Sequence, residues 1–171
     1  MRRSDRELDQ ESALKIIDES QYATLSCVDE NGEVFSIPIS IARDGMSVFI
    51  HGAKTGSKAK LYKDGKNVEL VAVSQNKVPT PSYEFCESIK DSANELGGKV
   101  FTTEYLSAIA KTKAYEVIDE SQKVKALELL CSKYTPDYMD YFKTAAYGSL
   151  SRTSIYELKI VSLSAKAKII K

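Results

Sequence analysis

The chain has 171 residues, 43% of them hydrophobic, and its 24 Lys plus Arg balance 24 Asp plus Glu. That length suits one domain, residues 1–171, with a sizeable core, and is short for two. Zero net charge gives no electrostatic case for a nucleic-acid partner, and no apolar run approaches the length of a membrane span.

Met1-Arg-Arg-Ser is basic but runs into a charged helix, which argues against a secretory signal. Residues 10–19 predict a short amphipathic helix with Ala13, Leu14 and Ile17 inward, ended at Ser20-Gln21. A strand follows at Tyr22–Val28. Asp29-Glu-Asn-Gly32 then reads as a hairpin turn, with Asn31-Gly32 suited to positive φ. The returning strand is Val34–Ala42. Pro38 cannot donate to its ladder, so that point is an edge, a bulge or a docking place. Asp44-Gly45 turns into a third strand, Met46–Ile50, and the three strands predict an antiparallel meander.

Next comes Val48-Phe-Ile-His-Gly-Ala-Lys-Thr-Gly-Ser-Lys-Ala-Lys-Leu61, where a strand runs through a small turn into a basic helix start. His51 is the only histidine in the chain. Gly52 and Gly56 let a ligand come close to the backbone, and Ser57, Lys58 and Lys60 offer donors and positive charge. Lys58 opposes the dipole of the helix it begins, which an anion there would explain. Lys60 and Lys63 read as the wet face.

The helix is expected over Ser57–Lys63, stopped by Asp64-Gly65, and a fourth strand over Asn67–Ser74. Val78-Pro-Thr-Pro81 forbids a helix there, and a short one is expected near Glu84–Glu95. Tyr105–Val117 reads as a strand. Asp119–Tyr134 is the clearest helix, with Val124, Leu127, Leu130 and Cys131 on one face. The last strand spans Ser154–Lys166. Tyr105, Tyr134, Tyr138, Tyr141, Phe142 and Tyr147 are expected in core or dimer-interface packing. Cys27, Cys86 and Cys131 show no disulfide or metal-ligand spacing; Cys27 reads as a core residue, and the three thiols point to a reducing cytoplasm. Lys159, Lys166, Lys168 and Lys171 read as a solvated basic face. About six short strands with tight turns favour a small antiparallel barrel.

Tyr22-Ala-Thr-Leu-Ser, Gly32, Pro38-Ile39, the His51–Lys58 segment and Asn67-Val68 together resemble the pyridoxamine 5′-phosphate oxidase-like, FMN-binding split-barrel proteins. Within them the chain is most similar to the nitroimidazole-resistance branch, through a histidine ending the third strand before Ala-x-x-Gly-x-Lys. The resemblance implies a mainly β, six-stranded antiparallel split barrel with flanking helices. It also implies a homodimer with FMN at each of two sites between the subunits. Carried over by motif position, Thr55, Ser57 and Lys58 would hold the phosphate. His51, Gly52 and Ala53 would run beside the flavin, and backbone groups around Thr24, Leu25, Pro38 and Ile39 would face its ring. The arginine-rich C-terminal signature of vitamin B6 oxidation is missing here, with only Arg152 in the last strand region.

The function so implied is an FMN-dependent oxidoreductase reducing a small organic acceptor, nitroaromatics included, with His51 nearest the reaction and no metal. A competing reading is a non-catalytic flavin- or haem-binding storage protein of the same fold, in which His51 could ligate haem iron. A third is a structural dimer whose site has decayed.

Overall fold

A computed structural model describes residues 3–170. Met1 and Arg2, part of the basic N-terminal reading, and Lys171, one lysine of the C-terminal cluster, lie outside the described residues. The strands are β1 (Glu7–Leu8), β2 (Ala23–Val28), β3 (Val34–Ile39), β4 (Ala42–Asp44), β5 (Ser47–Ala53), β6 (Lys66–Lys77), β7 (Glu104–Val117) and β8 (Thr153–Lys168). The helices are α1 (Gln10–Glu19), α2 (Ser57–Leu61), α3 (Tyr83–Ser88), α4 (Ala93–Glu95), α5 (Glu120–Tyr134) and α6 (Phe142–Ser149).

All eight strands form one antiparallel sheet in the order β3-β2-β6-β7-β8-β5-β4, with β1 added to the far end of β8. Two expectations are corrected here. Eight strands replace six, because Glu7–Leu8 pairs with β8 and the Val34–Ala42 run breaks at Ser40-Ile41. The meander is absent: β2–β3 and β4–β5 are separate hairpins at opposite ends of the sheet. Alternation within each strand carries no information about which distant strand it joins.

That topology makes the sheet a split barrel. Only Ser40 and Ile41 separate β3 from β4, so the two ends of the sheet lie within roughly 11 Å of each other. The sheet curls to meet itself, and the gap is the split. Bulges at Ser74 in β6 and at Val161 in β8 bend the long strands that must curve most. Pro38 sits on β3, the edge strand, where its missing N–H leaves no gap in an interior ladder. Gly32 takes φ +84° in the β2–β3 turn.

Two side-chain bridges tie the Ser40-Ile41 crossing and β4 to helices α5 and α1. The Tyr134 hydroxyl, at the end of α5, accepts from the Ile41 N–H at 2.9 Å and donates to the Ile41 carbonyl at 3.1 Å. Arg43 on β4 clamps Asp18 of α1 with two guanidinium bonds, one of them 2.9 Å from Nε to Oδ1.

Inside the barrel, alternate residues face inward: Ala23, Leu25 and Cys27 of β2, Val48 and Ile50 of β5, Val68, Leu70 and Ala72 of β6, and Tyr156, Leu158 and Ile160 of β8. The inward face of β7 is small, with Ala108, Ala110 and Ala114, and helix α1 packs against β6, β7 and β8. The Asp9 carboxylate starts α1 by accepting from Ser12 N–H at 2.8 Å. Ala13, Ile16 and Ile17 are its buried residues, so Ile16 takes the place expected for Leu14, which is only partly buried. On α5 the buried pair is Ala126 and Leu130. Val124, Leu127 and Cys131 are half-buried, because the helix lies close over the outer face of β5 and β8 on its small residue.

Several boundaries move. Helix α2 stops at Leu61, β6 extends to Lys77, and the single helix expected near Glu84–Glu95 is the two short helices α3 and α4, started by Ser82 and Ser92. Tyr138, Tyr141 and Tyr147 are exposed, which corrects their placement in the core. Among the described residues no helix is long and apolar enough to cross a membrane.

Candidate functional site

Strand β5 places the predicted residues. Val48 and Ile50 are fully buried, so their neighbours Phe49 and His51 point to the opposite, outer face. Phe49 and Leu127 of α5 both pack on the buried cluster of Val117, Ala126 and Ile155 on that face. His51, one pleat further on, is exposed. Across the ladder His51 faces Ile155, and pairing with β8 continues to Ala53–Thr153. On its other side β4 pairs only with Ser47–Phe49. Residues 50–53 therefore present a free strand edge on that side among the described residues, with unpaired backbone donors and acceptors.

The chain then turns through Ala53–Gly56 into α2. Gly56 has φ +104° and ψ −173°, a conformation essentially confined to glycine, and a Cβ there would meet nothing within 4 Å. Its constraint is purely backbone. Gly56→Ala is expected to cost about 1–2 kcal/mol in a urea unfolding titration. An unchanged midpoint would show that the turn relaxes freely.

Lys58, on the first turn of α2, folds back along the strand end. A Cβ built on Gly52 would stand 2.5 Å from Lys58 Cε and 3.1 Å from its Nζ. Lys58 has no carboxylate partner among the described residues. His51 feels this arrangement. Partial burial, and then the Lys58 charge, hold its imidazole below its ordinary 6.5. It is mostly neutral at pH 7, and it opposes folding increasingly as the pH falls from 6.5 toward its depressed pKa, below which the penalty levels off.

Lys60 stands in different company. With Ser57, Leu61 and Phe35 it lines a cleft of about 220 Å³ against Asp29, Glu30 and Asn31 of the first hairpin turn. Those carboxylates disfavour an anion beside Lys60, and of the lysines at the junction it is Lys58 that lies over Gly52. Thr55, Ser57 and Ala53 are exposed around it.

The structure thus brings His51, Gly52 and Lys58 together, with Thr55 and Ser57 on the adjoining turn. It does not bring Thr24, Leu25, Pro38 and Ile39 to them within one chain. Thr24 pairs with Pro38 and Ala23 with Ile39 at the open end of the first hairpin, away from the turn that faces α2. Leu25 is fully buried, so only its backbone remains available. None of the principal clefts carries residues from both groups. The free edge of β5 was missed in the sequence, because only the early end of β4 exposes it.

Comparison with known families places this geometry. The family model for pyridoxamine 5′-phosphate oxidase matches residues 9–167. The chain belongs to the pyridoxamine 5′-phosphate oxidase family. No curated protein matches it. Among solved structures, this family member is similar to a candidate 5-nitroimidazole antibiotic resistance protein from Bacteroides thetaiotaomicron, with 16% identity and TM-score 0.69 over 94% of this chain and 86% of that one. It is also similar to the flavocytochrome Anf3 from Azotobacter vinelandii, at 20% identity and TM-score 0.70 over 94% and 68% of the two chains. A FAD and heme binding protein from Mycobacterium smegmatis gives 18%, 0.71, 94% and 71%. At these identities the likeness is one of fold: the antiparallel split barrel.

Proposed function

We propose that the chain binds FMN at the β5–α2 junction and is an FMN-dependent oxidoreductase that reduces a small organic acceptor, nitroaromatic compounds being the class to test first. The observation that carries this reading is Lys58, an ammonium without a carboxylate partner, lying over Gly52 beside a neutral, accessible His51. Family membership and the resistance protein among the structural neighbours support it.

The donor set fits the cofactor. A flavin phosphate carries close to two negative charges, which Lys58 with the Thr55 and Ser57 hydroxyls can offset. The free edge at residues 50–53 offers backbone groups to a planar ring, with Gly52 and Ala53 adding no bulk. When bound, FMN supplies the hydride or electron transfer. His51 holds one N–H donor and one acceptor nitrogen where an acceptor molecule would lie. Because Thr24, Pro38 and Ile39 share no cleft with His51, we assign them to the wall of the site on a second copy, in a homodimer.

A visible spectrum of the purified protein and an FMN titration test this. Two flavin bands in the blue and near ultraviolet, or saturable FMN uptake, are expected. A colourless protein that takes up no flavin rejects the reading.

A second reading, haem binding, draws on one observation. An exposed, neutral imidazole is the form that ligates iron, and two of the fold neighbours are described as haem or flavocytochrome proteins. The same spectrum decides it: a Soret band abolished by His51→Ala supports haem, and flavin bands that persist in that variant support FMN.

A further inference from the structure

We propose that Gly52 is a positioning residue that acts through Lys58: the missing side chain leaves a seat at the end of β5 in which the lysine chain lies, so that its ammonium is held at the phosphate side of the junction and beside His51. This deepens the FMN reading above and rests on it for the identity of the anion.

The backbone does not explain a glycine here. Gly52 is absent from the positive-φ residues, and it pairs in register with Ser154 inside an ordinary ladder. Glycine in a strand interior is unfavourable and marks a close approach. The approach is that of Lys58. A Cβ at position 52 would fall 2.5 Å from Cε, 3.1 Å from Nζ and 3.5 Å from Cδ, all side-chain atoms of the one lysine. By strand alternation this side of Gly52 continues the inward face of Val48 and Ile50, so the lysine stem covers the mouth of the barrel. No ion pair among the described residues holds Lys58 there. The seat itself does.

His51 reports the seat. The charged groups of the neighbouring elements are Lys54 further along the chain, Arg152 just before β8, Glu157 on β8, Glu116 on β7, which accepts from Ser154, Lys125 on α5, which is engaged by Asp44, and Lys58. Of these charges only that of Lys58 bears on its imidazole. As the single histidine of the chain, it gives one unambiguous NMR titration.

The test compares wild type with Gly52→Ala and Lys58→Met. The alanine is tolerated by the backbone, and only the flexible end of Lys58 must move, so the melting temperature should not fall. Binding of FMN and of riboflavin, which lacks the phosphate, is measured for each protein, and His51 is titrated in the ligand-free forms. Gly52→Ala should reduce the preference for FMN over riboflavin roughly tenfold, the worth of one charge-assisted bond. It should also raise the His51 pKa toward that of Lys58→Met. An unchanged preference together with an unchanged His51 titration overturns the proposal. If wild type binds neither flavin, the FMN reading fails on its own. The titration still decides the seat: a raised His51 pKa in Gly52→Ala upholds it, and an unmoved one rejects it.

Discussion

Tyr134→Phe should destabilise the chain by about 2–4 kcal/mol while leaving its secondary structure intact. One hydroxyl serves both backbone groups of Ile41, accepting at 2.9 Å and donating at 3.1 Å, and Ile41 is fully buried. Phenylalanine keeps the ring and its packing but abandons a buried N–H and a buried carbonyl together, each worth about 1–3 kcal/mol when unpaired. The place matters as much as the bond. Ile41 is half of the two-residue crossing that joins the ends of the sheet, and α5 has no other side-chain hydrogen bond to that crossing. The loss should appear as a lower urea midpoint and faster hydrogen exchange in β3 and β4, with β6, β7 and the core of β8 still protected. A midpoint within experimental error of wild type would mean that water replaces the hydroxyl and that the split is not held by Tyr134. The Arg43–Asp18 pair ties the adjoining strand β4 to α1 at a more exposed place, so its removal should cost less.

The same crossing shows where the sequence stops being legible. Val34–Ala42 alternates without interruption, so nothing local distinguishes one strand from two strands separated by a crossing. The break at Ser40-Ile41 is held from a part of the chain remote in sequence, by Tyr134, 93 residues later. Helix α5 was clear, yet its buried face includes Ala126, because a helix laid on a sheet approaches most closely where its side chain is smallest. Short-range chemistry read well at the Gly32 turn and at Pro38, where the edge was one of the three readings, whereas the caps at Asp9 and Asp119 were not read. The segment from Val78 to Thr103 read poorly. Its serine caps at Ser82 and Ser92 were not read, and its helices are too short for a periodicity. At the candidate site the motif named His51, Gly52 and Lys58 in order. That the lysine would lie back over the glycine depends on the Gly56 turn, and no spacing rule contains it.

Lys58→Met is the substitution with the largest expected effect on ligand binding. On the proposed FMN reading it removes the cation that lies over Gly52 without an ion-pair partner among the described residues, while methionine keeps most of the stem there. A charge-assisted hydrogen bond is worth about 1.5–3 kcal/mol, so FMN should bind roughly 10- to 150-fold more weakly. Riboflavin, with no phosphate, should bind the variant as it binds wild type. Lys60→Met is the internal control. Its ammonium shares a cleft with Asp29 and Glu30, so its loss should change FMN affinity little. Salt separates the two cases further: the FMN affinity of wild type should fall as ionic strength rises, and that of Lys58→Met should fall less. The pattern is what discriminates. Equal losses for FMN and riboflavin would make Lys58 a packing residue of the barrel mouth. A loss in Lys60→Met as large as in Lys58→Met would move the phosphate into the cleft against the first hairpin. Only a loss confined to Lys58 and to the phosphorylated flavin places the anion at the Lys58 ammonium of the β5–α2 junction.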